Sequence, residues 1–157
     1  MPVAGNDATP RLALHWLWNE AQTDSAYTVN VERRNRLIRE HGYIDMGAIA
    51  HVDARPSPNT RPLICFYSGP PRTNSFCSIS AREHKLIRSL GYQEVSIEGY
   101  VAVERTAESL VLFRLSRSYG DGRDREHRFA VTSAELVRLR KQGWTYDGAK
   151  GFVNPLH

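Results

Sequence analysis

Residues 37–52 read LIREHGYIDMGAIAHV, residues 86–101 read LIRSLGYQEVSIEGYV, and residues 139–153 read LRKQGWTYDGAKGFV. One phrase is written three times, and its glycines, Gly42, Gly91 and Gly143, stand 49 and 52 residues apart. A period of that size marks one supersecondary unit repeated, each copy too small to bury an apolar face alone.

Working outward from the phrase, each glycine is preceded by a helix-periodic run with apolar positions at Leu37 and Ile38, at Leu86 and Ile87, and at Leu136, Val137 and Leu139. Glycine takes the left-handed conformation past a helix end without a Cβ penalty, so each run is predicted to stop there. Asn30, Ser80 and Thr132 mark the starts, since their side-chain oxygens accept an otherwise orphan helix N–H. Glu83 and Glu135, three residues on, predict a capping box; the first copy has Arg33 there and one extra residue before its glycine.

Ahead of each cap lies a strand pattern: DSAYTVN (24–30), NSFCSIS (74–80) and EHRFAVT (126–132). Tyr27, Cys77 and Phe129 align, as do Val29, Ile79 and Val131 two residues later, the alternation of a strand with one buried face. Earlier still, LHWLWN, LICFYS and LFRLSR place apolar residues at Leu14 and Leu17, Leu63 and Phe66, and Leu112 and Leu115. The phrase itself closes on a strand ending at Val52, Val101 or Val153, with a break expected at Gly47, Ser96 or Gly148. DARPSPNTR (53–61) and ERTAES (104–109) read as linkers. The expected fold class is α+β: three strand–strand–helix–strand repeats (about 10–54, 62–104 and 109–155) in one pseudo-threefold domain spanning 10–157, after an N-terminal arm at 1–9. An open solenoid is disfavoured, because no copy carries a polar capping face.

The bulk numbers fit that picture. A chain of 157 residues suits one domain, and 41% apolar with 24% charged residues is ordinary for a globular protein. The net charge of +4 is interspersed, which reads as a solvated surface; nucleic acid is not an expected partner. No apolar run reaches the roughly 18 residues of a membrane span, so no membrane partner is expected. MPVAGNDATP lacks the regions of a signal peptide, which leaves a cytosolic chain or a mature secreted form as the expectation.

The aligned copies resemble secreted repeat modules of unknown function whose units read approximately PLYRLYNP…GDHFYTTSAAERDxLIxxGYxYEGIAGYV, often appended to extracellular bacterial and fungal hydrolases and peptidases. The resemblance runs from Pro10 to Pro155. It implies an accessory role outside the cell, in recognition of a glycan or cell-wall surface. Where such modules write Asp-His before the second strand, this chain has Asp24-Ser25, Asn74-Ser75 and Glu126-His127. Where they write Glu in YEG, it has Met46, Val95 and Asp147.

Candidate ligand-binding residues follow from the aromatics and from those polar positions. Trp16 aligns with Cys65 and Arg114, and Trp18 with Tyr67 and Ser116, so both positions are expected to lie outside the deep core. An exposed ring offers apolar C–H contact to a pyranose while polar neighbours take its hydroxyls. Tyr67 joins the set as the strand-one aromatic at the Trp18 position and Tyr100 as a groove-lining aromatic, with Asp24, Asn74, Glu126, His127 and Asp147 as its polar members. A metal or acid–base role for Glu126, His127 and Asp147 lacks any HxH, HExxH or CxxC spacing, so no catalytic residue, metal ligand or cofactor is assigned. Tyr43, Tyr92 and Trp144 are read as closing the helix ends. Cys65 and Cys77 are expected to point in opposed directions and to remain free thiols. Arg33, Arg34, Arg36 and Arg39 read as an exposed helix face, and the glycine-rich RSYGDGRDRE (117–126) as a mobile recognition loop. The functional expectation is a non-enzymatic, lectin-like or cell-wall-targeting module, extracellular; a protein-interaction domain is the alternative, and an enzyme centred on the third copy a distant third.

Overall fold

A computed structural model describes residues 9–70, 73–119 and 125–157; most of the N-terminal arm and the centre of the glycine-rich loop lie outside the described residues. In chain order the elements are β1 (Arg11–Asn19), β2 (Asp24–Thr28), α1 (Val31–His41), β3 (Ile44–Asp53), β4 (Thr60–Tyr67), β5 (Ser75–Ser78), α2 (Ala81–Ser89), β6 (Gln93–Ala102), β7 (Leu110–Ser118), β8 (Arg125–Ala130), α3 (Ser133–Lys141) and β9 (Thr145–Val153).

The α+β expectation is overturned. About half of the described residues are strand and a fifth are helix, which makes this a β-rich fold with three short helices. Among the described residues the strands pair antiparallel in one nine-stranded sheet, ordered β2-β1-β3-β6-β9-β7-β8, with β4 joined to β6 and β5 to β4. The physical reason lies in burial. α1 has no fully buried residue, α2 has His84 and Ile87, and α3 has Leu139. The main core is made by strand residues alone, among them Leu14, Leu63 and Leu112 with Val52, Val101 and Val153. Helical periodicity locates a helix but does not say how much interior it covers.

The three long return strands meet near their ends, through Asp53 opposite Tyr100, Ala102 opposite Phe152, and a bridge between His51 and Asn154. Glycine makes that approach possible. A Cβ on Gly99 would lie 2.5 Å from Val52 Cγ2, and one on Gly151 would lie 2.6 Å from Val101 Cγ1. Smaller clusters sit under the helices: Leu17 with Ala26 and Tyr43, Phe66 with Phe76 and Ile87, Leu115 with Leu139 and Trp144.

The caps form as local chemistry dictates. Asn30, Ser80 and Thr132 accept the N–H groups of Arg33, Glu83 and Glu135 at 2.8, 3.2 and 3.1 Å. The carboxylates of Glu83 and Glu135 go elsewhere: to Ser78 and Arg114 in one case, to Arg138 in the other. Leu86, expected in the core, is 58% exposed, and Ile87 is buried in its place. Tyr92 N–H closes on the Ile87 carbonyl as Trp144 N–H closes on that of Leu139, so the counterpart of Leu139 is Ile87. In α1 the closing bond from Tyr43 reaches back to Leu37, one residue wider, and absorbs the extra residue.

The free-thiol expectation is also corrected: Cys65 and Cys77 form a disulfide. They are direct partners in the β4–β5 pair, with Cα atoms 4.1 Å apart. Opposed residues of an antiparallel pair point to the same face. The same register pairs Trp16 with Tyr27 and Arg114 with Phe129, which draws this strand position inward. Cys65 and Arg114 are accordingly buried, against expectation, and Ser116, at the Trp18 position, is buried as well.

Candidate functional site

The three short strands β2, β5 and β8 converge, and with them four of the predicted polar residues, Asp24, Asn74, Glu126 and His127. Asp24 accepts from the Ser75 N–H at 2.7 Å, from the Ser75 hydroxyl at 2.6 Å and from the Tyr43 hydroxyl at 2.6 Å. Asn74, with its amide turned to suit its neighbours, donates to His127 Nδ1 at 3.0 Å and to the Arg125 carbonyl at 2.6 Å, and accepts from the Tyr92 hydroxyl at 2.7 Å. Glu126 accepts from the Ser25 hydroxyl, from Tyr119 at 2.6 Å, and from Arg128 at 3.0 and 3.1 Å. Each short strand is thereby bonded to the next, and the circuit closes on itself.

Asp24, Asn74 and Glu126 are buried, so this circuit is internal and its hydrogen-bonding capacity is spent on the protein. Burial pushes the Asp24 carboxyl up, against the hydrogen bonds of Ser75 and Tyr43, and the charge of Glu126 adds to the rise. Burial and the positive charge of Arg114 hold His127 down at about 3, so its ring is neutral and edge-on to Phe76.

The tryptophans have found a partner within the chain. The Arg128 guanidinium stands 4.4 Å from the ring centre of Trp16, 4.7 Å from that of Trp144 and 5.7 Å from that of Trp18. The Trp16 indole N–H donates to Ser25 Oγ at 2.9 Å. Arg128 was not singled out in the sequence, although it sits two residues after Glu126 and so on the same face of β8.

Asp147 does not join Glu126 and His127. It accepts from the Ser116 hydroxyl at 3.0 Å and lies beside Arg114, which is held mainly by Glu83. Burial works to raise Glu83, but hydrogen bonds from Arg114 and Ser78 outweigh it and keep the carboxyl at about 2. Tyr100 is half-buried on β6, opposite Pro62 and Asp53. Among the described residues no cluster of His, Cys, Asp or Glu is arranged to hold a metal ion.

Tyr67 lies elsewhere, at an open cleft of about 160 Å3 between α1 and strands β4 and β6. Arg33, Leu37 and His41 form its helical wall, because residues four apart stack on one face. Tyr67, Val95, Ala26, Tyr43, Ser75 and Gln22 complete its lining. The Gln22 turn is fixed by three bonds: its N–H to Asn19 Oδ1 at 2.9 Å, its carbonyl from Thr73 at 2.7 Å, and its side chain from the Tyr67 hydroxyl at 3.2 Å. Asn19 also donates to the His41 carbonyl at 2.7 Å, tying the turn to the end of α1. Arg33 is mostly buried rather than on an exposed face, and its Nε donates to Glu98 Oε1 at 3.2 Å. Sequence reasoning included Tyr67 but missed Arg33, His41 and Gln22 as its neighbours; only the four-residue spacing along α1 hinted at a shared wall.

Two further hollows flank the fold. One, of about 600 Å3, lies on the other side of Arg33 and carries Arg36, Arg39, Glu32 and Glu40; the other, of about 240 Å3, lies between Trp16, Ile49 and Glu135. No curated protein and no solved structure matches the chain. One family does match, over residues 13–154, from the first strand to just past the last. The chain therefore belongs to the family described as a domain of unknown function, DUF5648.

Proposed function

We propose that this domain binds carbohydrate without transforming it, and that the binding surface is the cleft between α1 and strands β4 and β6. The observation that carries the reading is the make-up of that cleft. Tyr67, Leu37, Val95 and Ala26 supply aromatic and apolar contact, while Gln22, Arg33 and His41 supply hydrogen-bonding groups at its edge. A pyranose offers the complement, an apolar C–H face ringed by hydroxyls. Asp24 and Glu98, the carboxylates bonded to cleft residues, are buried and held by protein donors, which favours binding over acid–base chemistry. The Cys65–Cys77 disulfide supports an extracellular setting, where such bonds persist.

A glycan array tests the reading. Binding to a defined glycan class is expected, and Tyr67→Ala should weaken it at least tenfold without lowering the melting temperature appreciably. An array blank at high protein concentration removes the proposal. A protein partner is the second reading, favoured by Val95 and Ile97, 46% and 52% exposed on β6 beside the cleft. It would be supported if a partner protein bound and Ile97→Asp abolished that binding while the array stayed blank.

A further inference from the structure

We infer that the sugar taken by this cleft carries a carboxylate, as a uronic acid residue does, and that Arg33 holds it; the inference rests on the carbohydrate reading above. Arg33 uses one of its three nitrogens. Nε donates to Glu98, while Nη1 and Nη2 have no hydrogen-bond partner among the described residues. The side chain is nonetheless only 17% exposed, and it lies between the cleft and the larger hollow, lining both. A guanidinium edge with two parallel N–H groups matches a carboxylate bidentately.

Glu98 does not account for Arg33 by itself. The Glu98 carboxylate already accepts from the Thr28 hydroxyl at 2.9 and 3.0 Å and from the Val29 N–H at 2.7 Å. The placement of the cation is also unfavourable for the helix. Arg33 lies in the first turn of α1, where the helix dipole disfavours positive charge, and α2 and α3 carry Glu83 and Glu135 at that position. Burial also lowers the hold of Arg33 on its proton, and an incoming anion would offset that desolvation.

The charges around the cleft decide how much anion it takes. Its described lining contains Arg33 and His41 and no carboxylate. Beyond Arg33, Glu32 and Glu40 accompany Arg36 and Arg39 in the larger groove, so that surface is balanced. One carboxylate at Arg33 fits this distribution; a densely charged polyanion laid along α1 does not.

The experiment is titration calorimetry at fixed ionic strength with three probes: a uronate oligosaccharide, the same oligosaccharide with its carboxyl groups reduced to alcohols, and the free uronate monosaccharide. The oligosaccharide should bind at least tenfold more tightly than its reduced form, and Arg33→Gln should erase the difference, while Arg39→Gln, outside the cleft, should not. Should Arg33→Gln fail to fold, the comparison of the two oligosaccharides on the unaltered protein still decides. Equal affinity for the two overturns the carboxylate inference and leaves the carbohydrate reading standing. Binding by neither overturns the carboxylate inference, and the glycan array then decides the carbohydrate reading. The monosaccharide alone matching the oligosaccharide would support Arg33 as the anion site and assign it to a single sugar residue.

Discussion

The guanidinium of Arg128 lies 4.4 Å from the ring centre of Trp16 while its nitrogens bond to Glu126 at 3.0 and 3.1 Å. The cation therefore serves two environments at once. It neutralises a fully buried carboxylate and covers an aromatic face that would otherwise meet water.

Arg128→Ala is expected to cost about 3–5 kcal/mol, the usual result of leaving a buried charge unpaired. Arg128→Lys should recover part of this, since it keeps the charge but loses the planar stacking. Urea denaturation followed by tryptophan fluorescence reads both effects. A midpoint unchanged in the alanine variant would mean that Glu126 finds other compensation.

The leucines of α2 and α3 separate in the same measurement. Leu139 is fully buried, so Leu139→Ala should lose about 2–5 kcal/mol. Leu86 is exposed, and Leu86→Ala should stay within about 0.5 kcal/mol of the parent. Equal losses would contradict the helix phase set by Ser80 and closed at Ile87.

Breaking the Cys65–Cys77 bond opens a loop with a sequence separation of 12. Chain-entropy estimates put the stabilisation from a loop of that order at about 3 kcal/mol. The Cys65→Ser, Cys77→Ser double variant should show a urea midpoint lowered accordingly. A midpoint that also stays constant when the parent is fully reduced would show that the bridge contributes nothing.

Asp24 and His127 predict opposite pH dependences. The Asp24 pKa is raised by burial, so the folded state binds its proton more tightly than the unfolded chain; its contribution is complete below about pH 4 and is lost as pH rises through the folded pKa. His127 is lowered from 6.5 to about 3, so its contribution is complete above pH 6.5 and is lost as pH falls towards 3. Asp24→Asn should raise stability at pH 7 relative to pH 4, and His127→Gln made in that background should flatten the remaining acid limb. Identical pH profiles for parent and both variants would rule out these two groups as the titrating ones.

Much of the backbone was legible because its causes are local. A cap side chain reaches three residues, a helix-closing bond five or six, and strand alternation two; Asn30, Ser80, Thr132 and the leucines Leu14, Leu63 and Leu112 could thus be placed from their neighbours in sequence. The fold class was not legible, because it depends on how much interior each helix covers. The candidate site was legible only at Tyr67.

Asp24 and Glu126 read as ligand-binding polar groups in the sequence, and nothing there marked Glu98 for burial, since a lone buried carboxylate is costly. They are buried because donors arrive from far along the chain: Ser75 lies 51 residues from Asp24, Ser25 lies 101 from Glu126, and Arg33 lies 65 from Glu98. The sequence by itself determined where helices start and stop and which strand faces are apolar, through contacts within a few residues. Only the tertiary structure decided that Cys65 faces Cys77, that Arg128 covers the tryptophans, and that Arg33 and Tyr67 share a cleft, because strand register in the first case and packing between elements far apart in the chain in the others set those distances.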